Sequence, residues 1–380
     1  MDLFFCEIKR NFSVCKYTEK FGLKKGTSCS FVCIFTYSFL PLCFQKNEKM
    51  KEKLKFVQYL SFSKTVNLFR LKISYLLSRK SPVLMEKTLP SFISVESANF
   101  CQLHCPECPA GKVRIKKSDA QFFDNSLFNN LIDELKSTLC HVIFYFQGEP
   151  LLNKNLPEMI RYAHRAGIYT STSTNAQTLN SETAKSLVES GLDRLIVSID
   201  GTTQEIYEKY RQGGNLEKAL EGIKQLNLWK KNLKSVTPLL EIQFLVLKTN
   251  EHQMSEMKKL AKSLKADKLS FKSAQLYDFK NGHELLTSIK KYARYEQRAD
   301  GQYYIKVAQP NRCWRLWSGA VITTKGDVLP CCFDKNSDFP FGNVFEKSFS
   351  ESWHSEKATS FRQKILQNRK QFEICRNCEG

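Results

Sequence analysis

From Pro90 onward the chain alternates short apolar runs with longer amphipathic ones. Strand-like runs fall at Phe92 to Val95, His141 to Phe146, Ile168 to Ser173, Arg194 to Ile199, Leu239 to Leu247 and Lys268 to Lys272. Between them apolar residues recur at helical spacing over about Asn125 to Ser137, Leu156 to Arg165, Ser181 to Glu189, Leu216 to Leu233 and Glu251 to Lys265. Strand then helix, repeated, predicts parallel βα units. About six units over roughly 180 residues are too few for a closed eightfold barrel, which takes about 250. An α/β fold with a partial, open barrel is expected.

The flanks read differently. Residues 1–49 hold eight phenylalanines and five cysteines with no sustained period, and are expected to be a leader outside the fold. Their apolar stretch Phe31 to Phe44 contains Pro41 and is shorter than the roughly 20 residues of a spanning helix. Residues 50–90 form a basic amphipathic segment and linker, with Leu54, Val57, Leu60, Val66, Leu68, Leu71 and Leu76 set among lysines and arginines. Such a helix can lie on an anionic membrane surface or pack its apolar stripe on the main domain. Residues 91–299 carry the alternating core. Residues 300–380 have short segments, scattered aromatics and clustered thiols, the signature of a small metal-stapled module.

Charge and cysteine placement narrow the class. The 380 residues carry a net charge of +20. Up to residue 90 there are 17 Lys/Arg against 6 Asp/Glu, or +11, leaving 41 against 32, or +9, for the rest. The excess is weighted to the first quarter, and without a recognisable nucleic-acid motif a nucleic-acid partner is not expected. Fourteen cysteines in a long chain with no visible secretory signal argue for metal-bound thiolates in a reducing cytoplasm rather than a disulfide framework.

Cys101, Cys105 and Cys108 follow the first strand on one short loop. In a parallel barrel that is the carboxyl-terminal face, where active sites form. Three thiolates leave one coordination position open at a tetrahedral ion or a four-iron cluster. The spacing Cys101-x3-Cys105-x2-Cys108 resembles the signature of the radical S-adenosylmethionine superfamily, which implies a [4Fe-4S] cluster whose fourth iron chelates S-adenosylmethionine. In that family one electron from the cluster splits the sulfonium into methionine and a 5′-deoxyadenosyl radical, which abstracts hydrogen from substrate. Gln147-Gly148-Glu149-Pro150 resembles the family segment that binds the methionyl ammonium. Ser173, Asn175 and Ser198, at the ends of the third and fourth strands, resemble positions that contact the cofactor's ribose and carboxylate. Two departures stand out: Gln147 replaces a glycine, and Glu107 stands before the third cysteine where the family has an aromatic residue. Cys140 is expected in the core, and His104, His141 and His354 have no partner at metal-site spacing.

In the tail, Cys313-x12-Gly326-x4-Cys331 and Cys375-x2-Cys378 resemble the SPASM/twitch extension of these enzymes. Four ligands fill one auxiliary [4Fe-4S] cluster and are too few for two; Cys332 reads as a spare thiol. The resemblance implies an oxidoreductase in which the auxiliary cluster takes an electron from a substrate radical. It suits dehydrogenation of a sugar- or alcohol-like small molecule, or modification of a peptide, with flavodoxin or ferredoxin as reductant. Tyr277, Asp278, Arg312 and Arg315 lie near the junction of the modules, where solvated surface competes with a substrate role. The rival of another class is a zinc- or iron-sulfur-stapled binding protein with no catalysis. Peripheral contact with the inner membrane face through residues 50–80 is a further expectation.

Overall fold

The computed structural model describes residues 55–79, 81–83, 87–113 and 117–378. All lie within the unit Met50–Gly380, into which the chain divides from Met1–Lys49; the expected leader falls outside the described residues.

Six parallel strands form in chain order: β1 (Phe92–Val95), β2 (His141–Ile143), β3 (Tyr169–Thr174), β4 (Arg194–Ser198), β5 (Leu239–Val246) and β6 (Lys268–Ser273). Each pairs with the next, as right-handed βα repetition requires. The connecting helices sit where the apolar spacing placed them: α2 (Asn125–Leu135), α3 (Leu156–Arg165), α4 (Ser181–Glu189), α6 (Leu216–Asn232) and α7 (Met254–Ser263), with α5 (Gln204–Tyr210) added after β4. Side-chain caps start several of them. Asp124 accepts from the backbone NH of Leu127, Asn180 from that of Thr183 and Asn215 from that of Lys218, supplying acceptors to otherwise orphaned donors.

Strand alternation divides the sheet into two faces. Ile93, Val95, Val142, Phe144, Leu195, Val197, Leu240 and Ile242 enter one core with the helices. The alternate positions are polar: His141 Nε2 meets Ser171 Oγ at 2.8 Å, and Glu241 takes Arg194 at 3.1 Å and Lys268 at 3.0 Å. The helices cover the first face, and the polar set needs partners of its own.

The basic amphipathic segment becomes α1 (Phe62–Leu77), which buries Leu71 of its apolar stripe fully but otherwise packs with polar residues. The buried side carries Lys64, Asn67, Leu71 and Ser74, while Phe62, Leu76 and Leu77 are 82%, 51% and 61% exposed. The reason is partner supply. Lys64 Nζ reaches the carbonyl of Gly167 at 2.5 Å, and the Asn67 amide accepts from the NH of Leu89 and donates to its carbonyl, so the polar stripe is satisfied against backbone. Ahead of α1, the Tyr59 hydroxyl donates to Asp193 at 2.6 Å and Lys55 pairs with it at 3.2 Å. Phe56 and Tyr59 also set their rings edge-on to Tyr169. The segment thereby covers the amino-terminal ends of β3 and β4. Among the described residues no helix is long and apolar enough to cross a membrane.

After β6 a hairpin forms from β7 (Tyr295–Gln297) and β8 (Tyr303–Ile305). The tail then rejoins the main sheet. β9 (Gly319–Ile322) pairs in parallel with β1, β10 (Asp327–Leu329) folds back on β9, and β11 (Gly342–Asn343) on β10. The sheet order is β11-β10-β9-β1-β2-β3-β4-β5-β6, so β11 and β6 are free edges and the barrel stays open. The tail also contains α8 (Glu356–Asn368), longer than the short segments expected there. It is anchored by Phe361 and Ile365 and by the buried Arg362, which donates to the carbonyls of Leu316 and Trp353.

Asp193 is the hub of the amino-terminal end, because besides Tyr59 and Lys55 it accepts from the Thr170 backbone NH at 2.9 Å. Asp193→Ala leaves these donors without their acceptor and is expected to cost about 3 kcal/mol in the metal-free protein. Tyr59→Phe, which leaves the carboxylate its other partners, is expected to cost about 1 kcal/mol; urea unfolding of the two variants checks the order.

Candidate active site at the carboxyl-terminal strand ends

The loop after β1 carries the first three cysteines. The Leu103 NH donates to Cys101 Sγ at 3.4 Å, and the Cys108 NH closes a turn on the Cys105 carbonyl at 3.1 Å. The loop is pinned from outside by the His104 NH, which reaches the Gln212 carbonyl at 3.0 Å. The thiols are close enough to raise one another's pKa. Burial, then the Glu149 charge, pushes Cys101 up to about 12, with Cys105 and Cys108 adding to it. Burial also raises Cys105, against the pull of Arg211.

The segment after β2 fits under this loop because of one glycine. Gly148 has φ +66°, and a Cβ there would stand 2.2 Å from the Ala98 carbonyl oxygen, so only glycine suits both the conformation and the approach. The turn delivers Glu149, whose NH donates to the Phe100 carbonyl at 2.7 Å. Its buried carboxylate accepts from Thr174 Oγ1 at 2.6 Å, the Asn175 NH at 2.9 Å and the Leu151 NH at 3.1 Å. Pro150 opens the short 3-10 turn that follows. Burial outweighs these bonds and raises the Glu149 pKa.

Asn175, fixed by that carboxylate, points its side-chain amide at Cys101 Sγ, 3.5 Å away. Ser173 sits one residue from Thr174 on β3, and Ser198 ends β4. The sequence reading missed Arg211. It caps α5 and holds its Nε 2.6 Å from Asp200, with Nη1 3.9 Å from Cys105 Sγ. A guanidinium beside a thiolate favours the charged sulfur. The signal was present in Asp200-Gly201 followed by an arginine eleven residues after the aspartate, but nothing in one sequence says that a helix turns that arginine back.

The second thiol set lies in the tail. Cys313 precedes the helical turn Arg315–Ser318, Cys331 follows β10, and Cys375 and Cys378 close a second turn, with the Cys378 NH on the Cys375 carbonyl at 3.2 Å. Gln309, also unforeseen, clamps this turn from Nε2 to the carbonyls of Cys375 (2.7 Å) and Cys378 (2.6 Å). Burial raises all of Cys313, Cys331 and Cys375, the last to about 11, and each is raised further by its neighbours in the set. Cys332 accepts from Arg315 Nη1 at 3.3 Å and packs beside Phe146, Val321 and Leu329.

Other residues sort by their contacts. Arg312 donates to the Tyr75 carbonyl at 2.5 Å. Tyr277 is 43% exposed. Lys335 lies over the Phe146 ring at 4.4 Å, and its pKa is lowered by burial but raised by Cys332, Cys108, Glu96 and Cys331. Burial raises Cys140 to about 12 and lowers His141 to about 3, as expected of core groups.

Both thiol sets suit iron-sulfur clusters. All nine described cysteines are free thiols. Burial holds most of them protonated, and a bound cation converts such thiols to ligands by releasing their protons. No described group of three or more ligand side chains is gathered tightly enough for a single ion.

Comparisons with known proteins agree with this layout. Residues 95–240 match the family model described as the radical SAM superfamily, and residues 313–379 match an iron-sulfur cluster-binding domain, SPASM. The chain is 26% identical to the PqqA peptide cyclase of Rhodopseudomonas palustris, over 71% of this chain and 75% of that protein. It is 25% identical to the S-adenosyl-L-methionine-dependent 2-deoxy-scyllo-inosamine dehydrogenase of Niallia circulans, over 76% of this chain and 93% of that protein. Among solved structures, Streptococcus suis SuiB bound to S-adenosylmethionine shares the fold at a TM-score of 0.56 and 15% identity, over 88% of this chain and 82% of that one.

The tightest steric constraint in the site is at Gly148. Gly148→Ala is expected to destabilise the metal-free protein by about 2 kcal/mol. Gly167→Ala, at φ +69° with nothing within 4 Å of the added carbon, is expected to cost about 1 kcal/mol from backbone strain alone. Equal losses on thermal unfolding would contradict the close approach.

Proposed function

Because the chain belongs to the radical S-adenosylmethionine superfamily and carries a SPASM iron-sulfur domain, we propose that it dehydrogenates a hydroxyl-bearing small molecule. The observation that carries this reading is the presence of two separate thiol sets, three at the carboxyl-terminal strand ends and four in the tail. Cys101, Cys105 and Cys108 would hold the cluster with an open iron, and Cys313, Cys331, Cys375 and Cys378 the closed auxiliary one.

When bound, the two clusters supply the electron that cleaves S-adenosylmethionine and a place for the electron that the substrate loses. The chain's own residues do the rest. Gly148, Glu149 and Pro150 shape the wall that receives the cofactor's amino group. Ser173, Asn175 and Ser198 offer hydroxyl and amide groups to its ribose and carboxylate. Asn175 and Arg211 direct donors at the cluster thiolates, and such hydrogen bonds raise a cluster's potential. Loss of one hydrogen atom from carbon, one proton from oxygen and one electron converts an alcohol carbon to a carbonyl.

Similarity to the Niallia circulans dehydrogenase over 93% of its length supports a small-molecule substrate. Similarity to peptide cyclases supports a second reading, modification of a peptide. A cytoplasmic enzyme of this kind needs a reductant such as flavodoxin or ferredoxin. Exposed Phe62, Leu76 and Leu77, on a segment that also carries the exposed Arg70 and Arg79, support peripheral contact with the inner membrane face. We place the core at residues 91–299 and the auxiliary module at 300–380.

After anaerobic reconstitution with iron and sulfide, reduction in the presence of S-adenosylmethionine is expected to yield 5′-deoxyadenosine. Replacing Cys101, Cys105 and Cys108 together by alanine is expected to abolish it while about half the iron remains. Tightly held zinc with no cleavage would instead favour the non-catalytic stapled protein.

A further inference from the structure

Glu107 stands where relatives of this type have an aromatic residue, and the function above does not use it. Its side chain is only 6% exposed. One oxygen takes Lys112 Nζ at 3.0 Å and lies 3.8 Å from His283 Nε2. The other accepts the backbone NH of Tyr277 at 2.8 Å. That NH belongs to the peptide group joining Leu276 to Tyr277. The carbonyl of the same peptide accepts the side-chain amide of Asn377 at 2.7 Å, and Asn377 lies between Cys375 and Cys378.

One planar peptide is therefore held at its NH end by the residue next to Cys108 and at its C=O end by the turn of the tail cysteines. Peptide planarity makes this a stiff link. A carboxylate on the NH also polarises the carbonyl and strengthens the bond on its far side. Tyr295 reinforces the junction: its hydroxyl accepts from the Leu276 NH at 2.9 Å and lies 2.8 Å from Asn377 Oδ1. Arg294 Nη2 adds a bond to the Asn377 carbonyl at 2.5 Å. Apolar packing runs the same way. Leu276 and Tyr295 share a buried cluster with Leu103 and Cys105, and Cys101 and Cys108 pack against it.

We propose that Glu107 is a positioning residue that ties the first cysteine loop to the Cys375–Cys378 turn through the Leu276–Tyr277 peptide, so that each cluster site senses the other. The proposal rests on reading both sites as iron-sulfur centres. A phenylalanine or tryptophan at 107 would offer the Tyr277 NH no oxygen acceptor.

The test reads the auxiliary centre alone. With Cys101, Cys105 and Cys108 replaced by alanine, the reconstituted, reduced protein is expected to show one electron paramagnetic resonance signal. Adding Glu107→Leu is expected to move its g values and shift its midpoint potential, although Glu107 touches none of its ligands. Glu107→Gln, which keeps an acceptor for the Tyr277 NH, is expected to restore both. Loss of the signal in the leucine variant with its retention in the glutamine variant counts for the link as well. From the other end, Tyr295→Phe in the chain with all its cysteines is expected to weaken, several-fold, the S-adenosylmethionine concentration response of the first centre's signal. An auxiliary signal unchanged by Glu107→Leu, or an unchanged response in Tyr295→Phe, overturns the link while leaving the cluster reading intact. A parent chain that takes up no iron overturns both.

Discussion

The buried carboxylate of Glu149 is the constraint on which the rest of the site depends. A charge or proton placed there without partners would be costly, and its two oxygens are matched by three donors from two segments. Those bonds lock the end of β3 to the turn after β2. The lock aims the Asn175 amide at Cys101. Gly148 makes the arrangement sterically feasible by letting the turn pass under the cysteine loop. The Gly148–Pro150 turn, the strand ends and the first cysteine loop are thus one assembly rather than three motifs that happen to be near one another.

Around that assembly the fold spends its polar and apolar positions differently at its two ends. The amino-terminal end is closed by Tyr59, Lys55 and Lys64, which satisfy Asp193 and the Gly167 carbonyl. The carboxyl-terminal end turns polar groups toward the thiols: Arg211 at Cys105 and Asn175 at Cys101. The tail is joined to the core through the pairing of β9 with β1. Hence Cys331, just after β10, is carried on a sheet continuous with the one that carries the first three cysteines, while Cys375 and Cys378 come from the helical turn at the end of the tail.

Much of this was legible in the sequence. Alternation of period-2 and helical runs located all six core strands because each is buried on its helix-covered face. Both cysteine sets were proposed from their resemblance to a family pattern, in which the Cys101–Cys108 and Cys375–Cys378 spacings are local while Cys313 and Cys331 lie far from the last pair. What escaped has a common physical cause. Arg211, Gln309 and the Glu107 link act across long separations, and their partners, Cys105, Cys375 with Cys378, and the Leu276–Tyr277 peptide, are defined only by tertiary structure. On α1 the stripe residue Leu71 is buried as one reading of the pattern expected, but the polar contacts of Lys64 and Asn67 with the backbone at Gly167 and Leu89 are ones no helical pattern reveals. The α8 helix was missed because few of its residues are apolar, although Phe361 and Ile365 suffice to anchor it.

The central claim is that one chain holds two four-iron centres of different openness. Electron paramagnetic resonance of the reconstituted, reduced protein, with and without S-adenosylmethionine, tests it most directly. Two overlapping signals are expected, of which the one lost on replacing Cys101, Cys105 and Cys108 changes shape markedly with the cofactor and the other far less. A single signal, or two that both ignore S-adenosylmethionine, would contradict the account.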